Sequence, residues 1–191
     1  MTAILATVLV GYLIGSVPVA YLMARAWGVN IFTVGTGNPG AANVFRTVGR
    51  TPGFIVFAAD VLKGAGAVAL AGLIGIDPAE LRIVAGAAVV VGHWYPLFLR
   101  FRGGAGLAPA IGLGLGALPL AFLVGVVPGL VVLHRHNSTG HAAGVAFITF
   151  LLAGLAQGRF TVALTVTAVA ALVMLHARFV ASDRSMRQPP A

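Results

Sequence analysis

The chain has no cysteine among its 191 residues, only four acidic side chains, and a single lysine, Lys63. The missing thiols exclude disulfides, thiolate catalysis and iron–sulfur ligation, and they leave the redox compartment open. Only 8% of the residues are charged while 59% are hydrophobic, and the mean hydropathy is +1.01. That balance lies far from the make-up of a soluble domain, so the sequence reads as an integral membrane protein with no room for a separate soluble domain. The net charge of +8 fits basic loops facing anionic lipid, and nucleic acid is not expected as a partner.

An apolar run of about 20 residues crosses the hydrocarbon core. The first, Thr2 to Ala24, exceeds the length of a signal-peptide core and is expected to be a retained helix. Further runs span 53–75, 81–101, 105–133, 140–156 and 160–175. The 105–133 run is too long for one crossing. It contains Gly112, Gly114, Gly116, Pro119 and Pro128, which predicts a break near Leu118 into two short helices of roughly 20 Å each. The expected fold is therefore all-α and integral to the membrane: a seven-helix transmembrane bundle with short or broken helices. With seven crossings Arg25, Arg46, Arg50, Arg100, Arg102, Arg135, Arg178, Arg184 and Arg187 fall on one side, and only Arg82 and Arg159 on the other.

What polar material remains is concentrated. Gly35-Thr36-Gly37-Asn38-Pro39-Gly40-Ala41-Ala42-Asn43-Val44-Phe45-Arg46 is dense in glycine and ends in an arginine, a composition that suits a bound phosphate because glycine lets backbone N–H groups approach an anion closely. Arg100-Phe101-Arg102-Gly103-Gly104-Ala105-Gly106 reads as a second cradle on the same side, and two such turns converging would enclose one phosphate-bearing site. Asp60 and Lys63, placed near the start of the second span, can pair at i,i+3 spacing, either as a structural pair or as a substrate contact. His93, beside Trp94 and Tyr95, fits either an interfacial belt or a functional histidine.

His134-Arg135-His136-Asn137-Ser138-Thr139-Gly140-His141 is the densest polar cluster. Its histidine spacing matches no zinc motif and no carboxylate lies nearby, so no metal is expected. A solvated loop and a contact to phosphate or glycerol hydroxyls are both open for it. His176 and Arg178 close the last span, with His176 either a hydrogen-bonding or proton-handling group or a structural one.

Taken together these segments resemble the PlsY family of membrane acyltransferases. The resemblance rests on Gly15-Ser16-Val17-Pro18, Gly35 through Arg46 to Gly49, Asp60-x-x-Lys63-Gly64, Gly92-His93-x-x-Pro96 with Phe101-x-Gly103-Gly104-x-Gly106, Arg135-x-x-Ser138, and His176. It covers nearly the whole chain. It implies a single transmembrane acyltransferase-like domain over residues 1–180, followed by a polar tail, 181–191. It further implies a place in the plasma membrane, with the active site toward the cytoplasm. The implied reaction moves a fatty acyl group from acyl phosphate to glycerol-3-phosphate, giving lysophosphatidic acid, with no cofactor. By that resemblance Thr36, Arg46 and His176 are the expected catalytic residues. Gly35, Gly37, Asn38, Gly40, Asn43, Lys63, His93, Arg102, Gly103, Gly104, Arg135, Ser138 and His141 are expected to bind substrate.

Several positions depart from the family pattern. Thr36 replaces a serine and keeps its hydroxyl, whereas Ala42 replaces a threonine, Ala105 a lysine, His141 a serine and Phe179 an asparagine. Asn30 and Phe32 stand where the family has aspartate and arginine. The bulk of Phe179 and the imidazole of His141 are expected to reshape the acceptor pocket more than the donor pocket. A membrane paralogue that binds phosphate or phospholipid without turnover, or one with a changed acceptor, is the alternative. A small transporter is disfavoured, because no inverted repeat is evident and the polar groups cluster at one face.

Overall fold

A computed structural model describes residues 2–77 and 79–187 of the chain; the side chains of residues 79, 80 and 181–187 are not described. Its described elements are α1 (Thr2–Ser16), α2 (Val19–Ala26), α3 (Ala41–Thr47), α4 (Arg50–Leu73), α5 (Ala79–Trp94), a 3-10 turn (Leu97–Leu99), α6 (Leu107–Ala117), α7 (Pro119–His136), α8 (Thr139–Ala156) and α9 (Phe160–Arg187). Among the described residues, six helical stretches are long and apolar enough to cross a membrane, with α1 and α2 together forming the first. Helix α6 supplies a seventh, shorter apolar segment.

The break near Leu118 is present. Leu118 leaves helical geometry at φ −141°, ψ 79°, and Pro119 occupies the first turn of α7, where its missing N–H costs nothing. The two halves differ in length, however. Helix α7 has 18 residues and survives Pro128 in its interior, whereas α6 has 11 and reaches only about 16 Å. A second break, at Val17-Pro18, divides the first span, because Pro18 cannot continue the hydrogen-bond ladder of α1. Helix α9 runs on to Arg187, so the expected polar tail begins as helix; residues 188–191 lie outside the described residues.

Large apolar side chains such as Leu5, Leu73, Leu123 and Leu175 are exposed on the outside, as required of a surface whose solvent is lipid. Inside, small residues let backbones touch. A Cβ on Gly112 would overlap the Val61 carbonyl, and one on Gly15 would overlap the Val89 carbonyl, so α6 packs tightly on α4 and α1 on α5. The main core joins Ile83, Val90, Leu113, Phe150, Val162, Val166 and Val173. A smaller core of Ala20, Ala24, Ile31, Val44 and Val56 lies under the loop between α2 and α3. That loop carries the first glycine segment.

Candidate active site

The first glycine segment is shaped from below by Asn43. This side chain is buried, its Oδ1 accepts the Thr36 N–H at 3.1 Å, and its Nδ2 donates to the carbonyls of Val34 at 3.0 Å and Ile31 at 3.3 Å. Asn43 was expected to touch substrate; the structure instead engages its amide with the loop backbone, because a buried amide must satisfy its own hydrogen bonds. Gly35 and Gly37 take left-handed φ values of 55° and 64°, and Gly35 lies directly over the Asn43 amide, where a Cβ would collide with it. Thr36 is exposed, and its Oγ1 accepts the Asn38 N–H at 3.4 Å. Gly40 is the N-cap of α3. Arg46, also exposed, donates from Nε to the Ala42 carbonyl at 3.1 Å.

The second glycine segment is pinned to the end of α5. The Gly104 N–H donates to the His93 carbonyl at 3.1 Å, and Trp94 Nε1 donates to the Ala105 carbonyl at 2.9 Å. Gly103 has no room for a side chain between the carbonyls of His93 and Trp94. Arg100 and Phe101, immediately before it, both take left-handed backbone at φ 51° and 63°, an unfavourable conformation for side-chain-bearing residues that the surrounding turn imposes.

The two segments meet at Gly104. A Cβ there would overlap His93 Nε2 and lie 3.0 Å from the Pro39 carbonyl oxygen. The junction encloses a cavity of about 10 Å³ walled by Pro39, Asp60, His93, Gly103 and Gly104, among others. That is space for one water. The expected convergence of the two turns is therefore present in the fold.

A charge cluster lies beneath the junction. Lys63 Nζ pairs with Asp60 Oδ1 at 2.8 Å and donates as well to the Val17 carbonyl freed by the break between α1 and α2. His93 Nδ1 is 3.8 Å from the same carboxylate oxygen, and Asp60 Oδ2 is buried without a hydrogen-bond partner among the described residues. The pair is thus real, but it sits halfway along α4 rather than near its start, and both side chains point inward, with Asp60 1% and Lys63 9% exposed. One ion pair fastens α4 to the α1–α2 break and underlies both glycine turns.

His176 reaches this region from α9. Its ring stacks on Trp94 at 4.5 Å between centroids and meets Tyr95 at 6.0 Å. Trp94 therefore joins the second glycine turn to His176. The sequence reading treated it only as an interfacial aromatic, although its place between His93 and the turn was the available signal. Arg102 lies 4.9 Å over the ring of Phe32, a cation–π contact.

The remaining expected residues occupy the α7–α8 turn. Arg135 is exposed in the last turn of α7, and Asn137 closes that helix with φ 48°. Ser138 caps α8: its Oγ accepts the His141 N–H at 3.4 Å and lies 2.9 Å from His141 Nδ1. Among the described residues, none of α7, α8 or α9 contributes to the wall of the junction cavity. Phe179, expected to reshape the acceptor pocket, is 72% exposed and lines no described cavity.

The profile of the family described as "Glycerol-3-phosphate acyltransferase" matches residues 5–183. The chain belongs to that family. Similar relatives named glycerol-3-phosphate acyltransferase include one from Geobacter sulfurreducens, 37% identical over 87% of each chain. Another, from Geotalea daltonii, is 36% identical over 92% of this chain and 91% of its own. The fold also superposes on the crystal structure of PlsY (YgiH), described as an integral membrane glycerol 3-phosphate acyltransferase, in its glycerol 3-phosphate form. The TM-score is 0.81 at 30% identity, covering 98% of this chain and 92% of that one. The lysophosphatidic acid form of the same protein gives a TM-score of 0.80. This acyltransferase family accounts for the multi-pass architecture.

Proposed function

We propose that this membrane acyltransferase takes its acyl group from acyl phosphate and gives it to the 1-hydroxyl of glycerol-3-phosphate, forming lysophosphatidic acid and inorganic phosphate. The observation that carries this reading is the meeting of the two glycine turns at His93, Gly104 and Pro39. In it Gly35, Thr36, Gly37, Asn38 and Gly40 from one side, and Gly103 and Gly104 from the other, cradle the donor phosphate. A mixed anhydride is already activated, so the protein has chiefly to place the acceptor, stabilise the developing oxyanion and hold two phosphates together. The acceptor oxygen bonds to the acyl carbon, the bond from that carbon to the phosphate oxygen breaks, and the departing phosphate takes the hydroxyl proton.

Arg46, Arg135, Ser138 and His176 bind the acceptor in this reading, and Arg102 and His141 supply contacts near the positions where Ala105 and Ala42 offer none. Lys63 and His93 support the cradle from beneath. The domain occupies residues 1–180, lies in the plasma membrane and opens its site to the cytoplasm, where the phosphate groups of both substrates are hydrated. The test is phosphate release from acyl phosphate by purified protein in lipid, with and without glycerol-3-phosphate. Release that requires the acceptor, with equimolar lysophosphatidic acid, supports the reading. Binding of acyl phosphate without release would favour a non-catalytic phosphate- or phospholipid-binding protein, and release only with another polyol phosphate would replace the acceptor.

A further inference from the structure

Beside the junction lies a much larger cavity of about 590 Å³, lined by Tyr21, Arg25, Asn30, Phe32, Phe98, Leu99, Arg100 and Arg102, with Gly28 and Val29 completing its wall. Tyr21 and Leu99 belong to the walls of both cavities, so the large one is a vestibule to the small one. Three arginines, Arg25, Arg100 and Arg102, are among its lining residues. Among the described residues no carboxylate lines it, and the ion pairs of aspartate engage Lys63, Arg82 and His93 instead. Arg25 donates to the Tyr21 hydroxyl at 2.9 Å, and Arg102 rests on the Phe32 ring, so two of the three cations are oriented by the vestibule's own aromatic residues. The left-handed backbone at Arg100 and Phe101 turns the chain sharply at the vestibule's edge.

The difference in size decides what this arrangement is for. The 10 Å³ between the turns holds no more than a water, so a phosphate cradled by them lies against the exposed residues Gly35 and Thr36, whereas 590 Å³ accommodates a phosphate with several methylenes. Arginine forks match phosphate oxygens, and Phe32, Phe98, Leu99 and Val29 offer an apolar wall to a chain attached to that phosphate. A general basic surface would need neither the concavity nor the aromatic wall. We propose that the vestibule is a receiving site for a phosphate group carrying a long apolar chain, where the head group of the lipid-borne substrate docks on Arg25, Arg100 and Arg102 before passing Tyr21 and Leu99 to the glycine junction. This inference rests on the acyl-phosphate reading above.

The experiment places the wild-type chain and the variant Arg25→Gln/Arg100→Gln in phosphatidylcholine nanodiscs and measures two quantities. The first is the affinity for dodecyl phosphate, which cannot transfer an acyl group. The second is the steady-state KM for acyl phosphate and for glycerol-3-phosphate. Loss of the two charge-assisted contacts is expected to weaken dodecyl phosphate binding and raise the acyl-phosphate KM by roughly tenfold or more. The kcat and the glycerol-3-phosphate KM should stay as in the wild type. Arg25→Lys/Arg100→Lys should fall between the two, and an unchanged thermal midpoint separates the effect from misfolding. Unchanged dodecyl phosphate affinity would overturn the proposal, as would a shift in the glycerol-3-phosphate KM alone. Displacement of dodecyl phosphate by an equal concentration of inorganic phosphate would also overturn it, by assigning the cations to a free anion. A wild-type chain that binds dodecyl phosphate yet releases no phosphate refutes the catalytic reading and leaves the binding measurement decisive.

Discussion

The two polar regions of the molecule are built in opposite ways. The glycine junction is assembled from segments distant in sequence and fastened from below: Asn43 under one turn, His93 and Trp94 under the other, and the Asp60–Lys63 pair under both. The α7–α8 turn is local in sequence, and its described hydrogen bonds, side-chain and backbone, stay within four residues. The first is held by buried hydrogen bonds and an ion pair, and the second is largely exposed; in the proposed reading the first cradles the donor and the second meets the acceptor. The junction should therefore couple stability to activity, while the α7–α8 turn should govern affinity for the acceptor alone.

The strongest way to break that contrast is Lys63→Met. Removing the partner of a buried carboxylate should cost about 3–5 kcal/mol of stability, read as a large drop in the thermal midpoint in detergent, with part of it recovered by Asp60→Asn in the same chain. A midpoint close to the wild type would mean that the pair does not hold the junction. Gly104→Ala comes next. Its Cβ collides with His93 Nε2, which should spread the two turns and lower turnover by roughly a hundredfold, a loss that a kinetic assay in nanodiscs measures directly.

Arg135→Gln sharpens the other side of the comparison. It should raise the glycerol-3-phosphate KM by roughly ten- to a hundredfold, in keeping with one lost charge-assisted contact, with the thermal midpoint and the acyl-phosphate KM unmoved. The smallest effect is expected from Ala105→Lys, which adds a cation beside the second turn and should increase turnover several-fold, within about 1.4 kcal/mol. Loss of activity in that variant would show that the turn, already closed by the Trp94 bond to the Ala105 carbonyl, has no space for the longer side chain.

Much of this was legible from residue order. The density of glycine and proline around Leu118 marked the break, because those residues fail in a helix interior whatever packs around them. The glycine segments and their meeting were legible for a similar reason: few residue types allow backbone so close to another group. What remained hidden depended on partners far along the chain. Asn43 could not be told from a ligand-binding asparagine until the Ile31 and Val34 carbonyls were seen above it. Phe179 could not be oriented from its spacing, and Arg25 joins Arg100 and Arg102 only through the fold. Pro18 gave a local signal of the α1–α2 break that hydropathy concealed.

The division into a fastened donor cradle and an open acceptor turn is tested most directly by amide hydrogen exchange in nanodiscs containing a non-transferable acyl phosphonate. The account predicts added protection at Gly35–Gly40 and Gly103–Gly106 with the phosphonate alone, and at residues 135–141 only after glycerol-3-phosphate is added. Protection by the phosphonate at residues 135–141 with none at the glycine turns would contradict it.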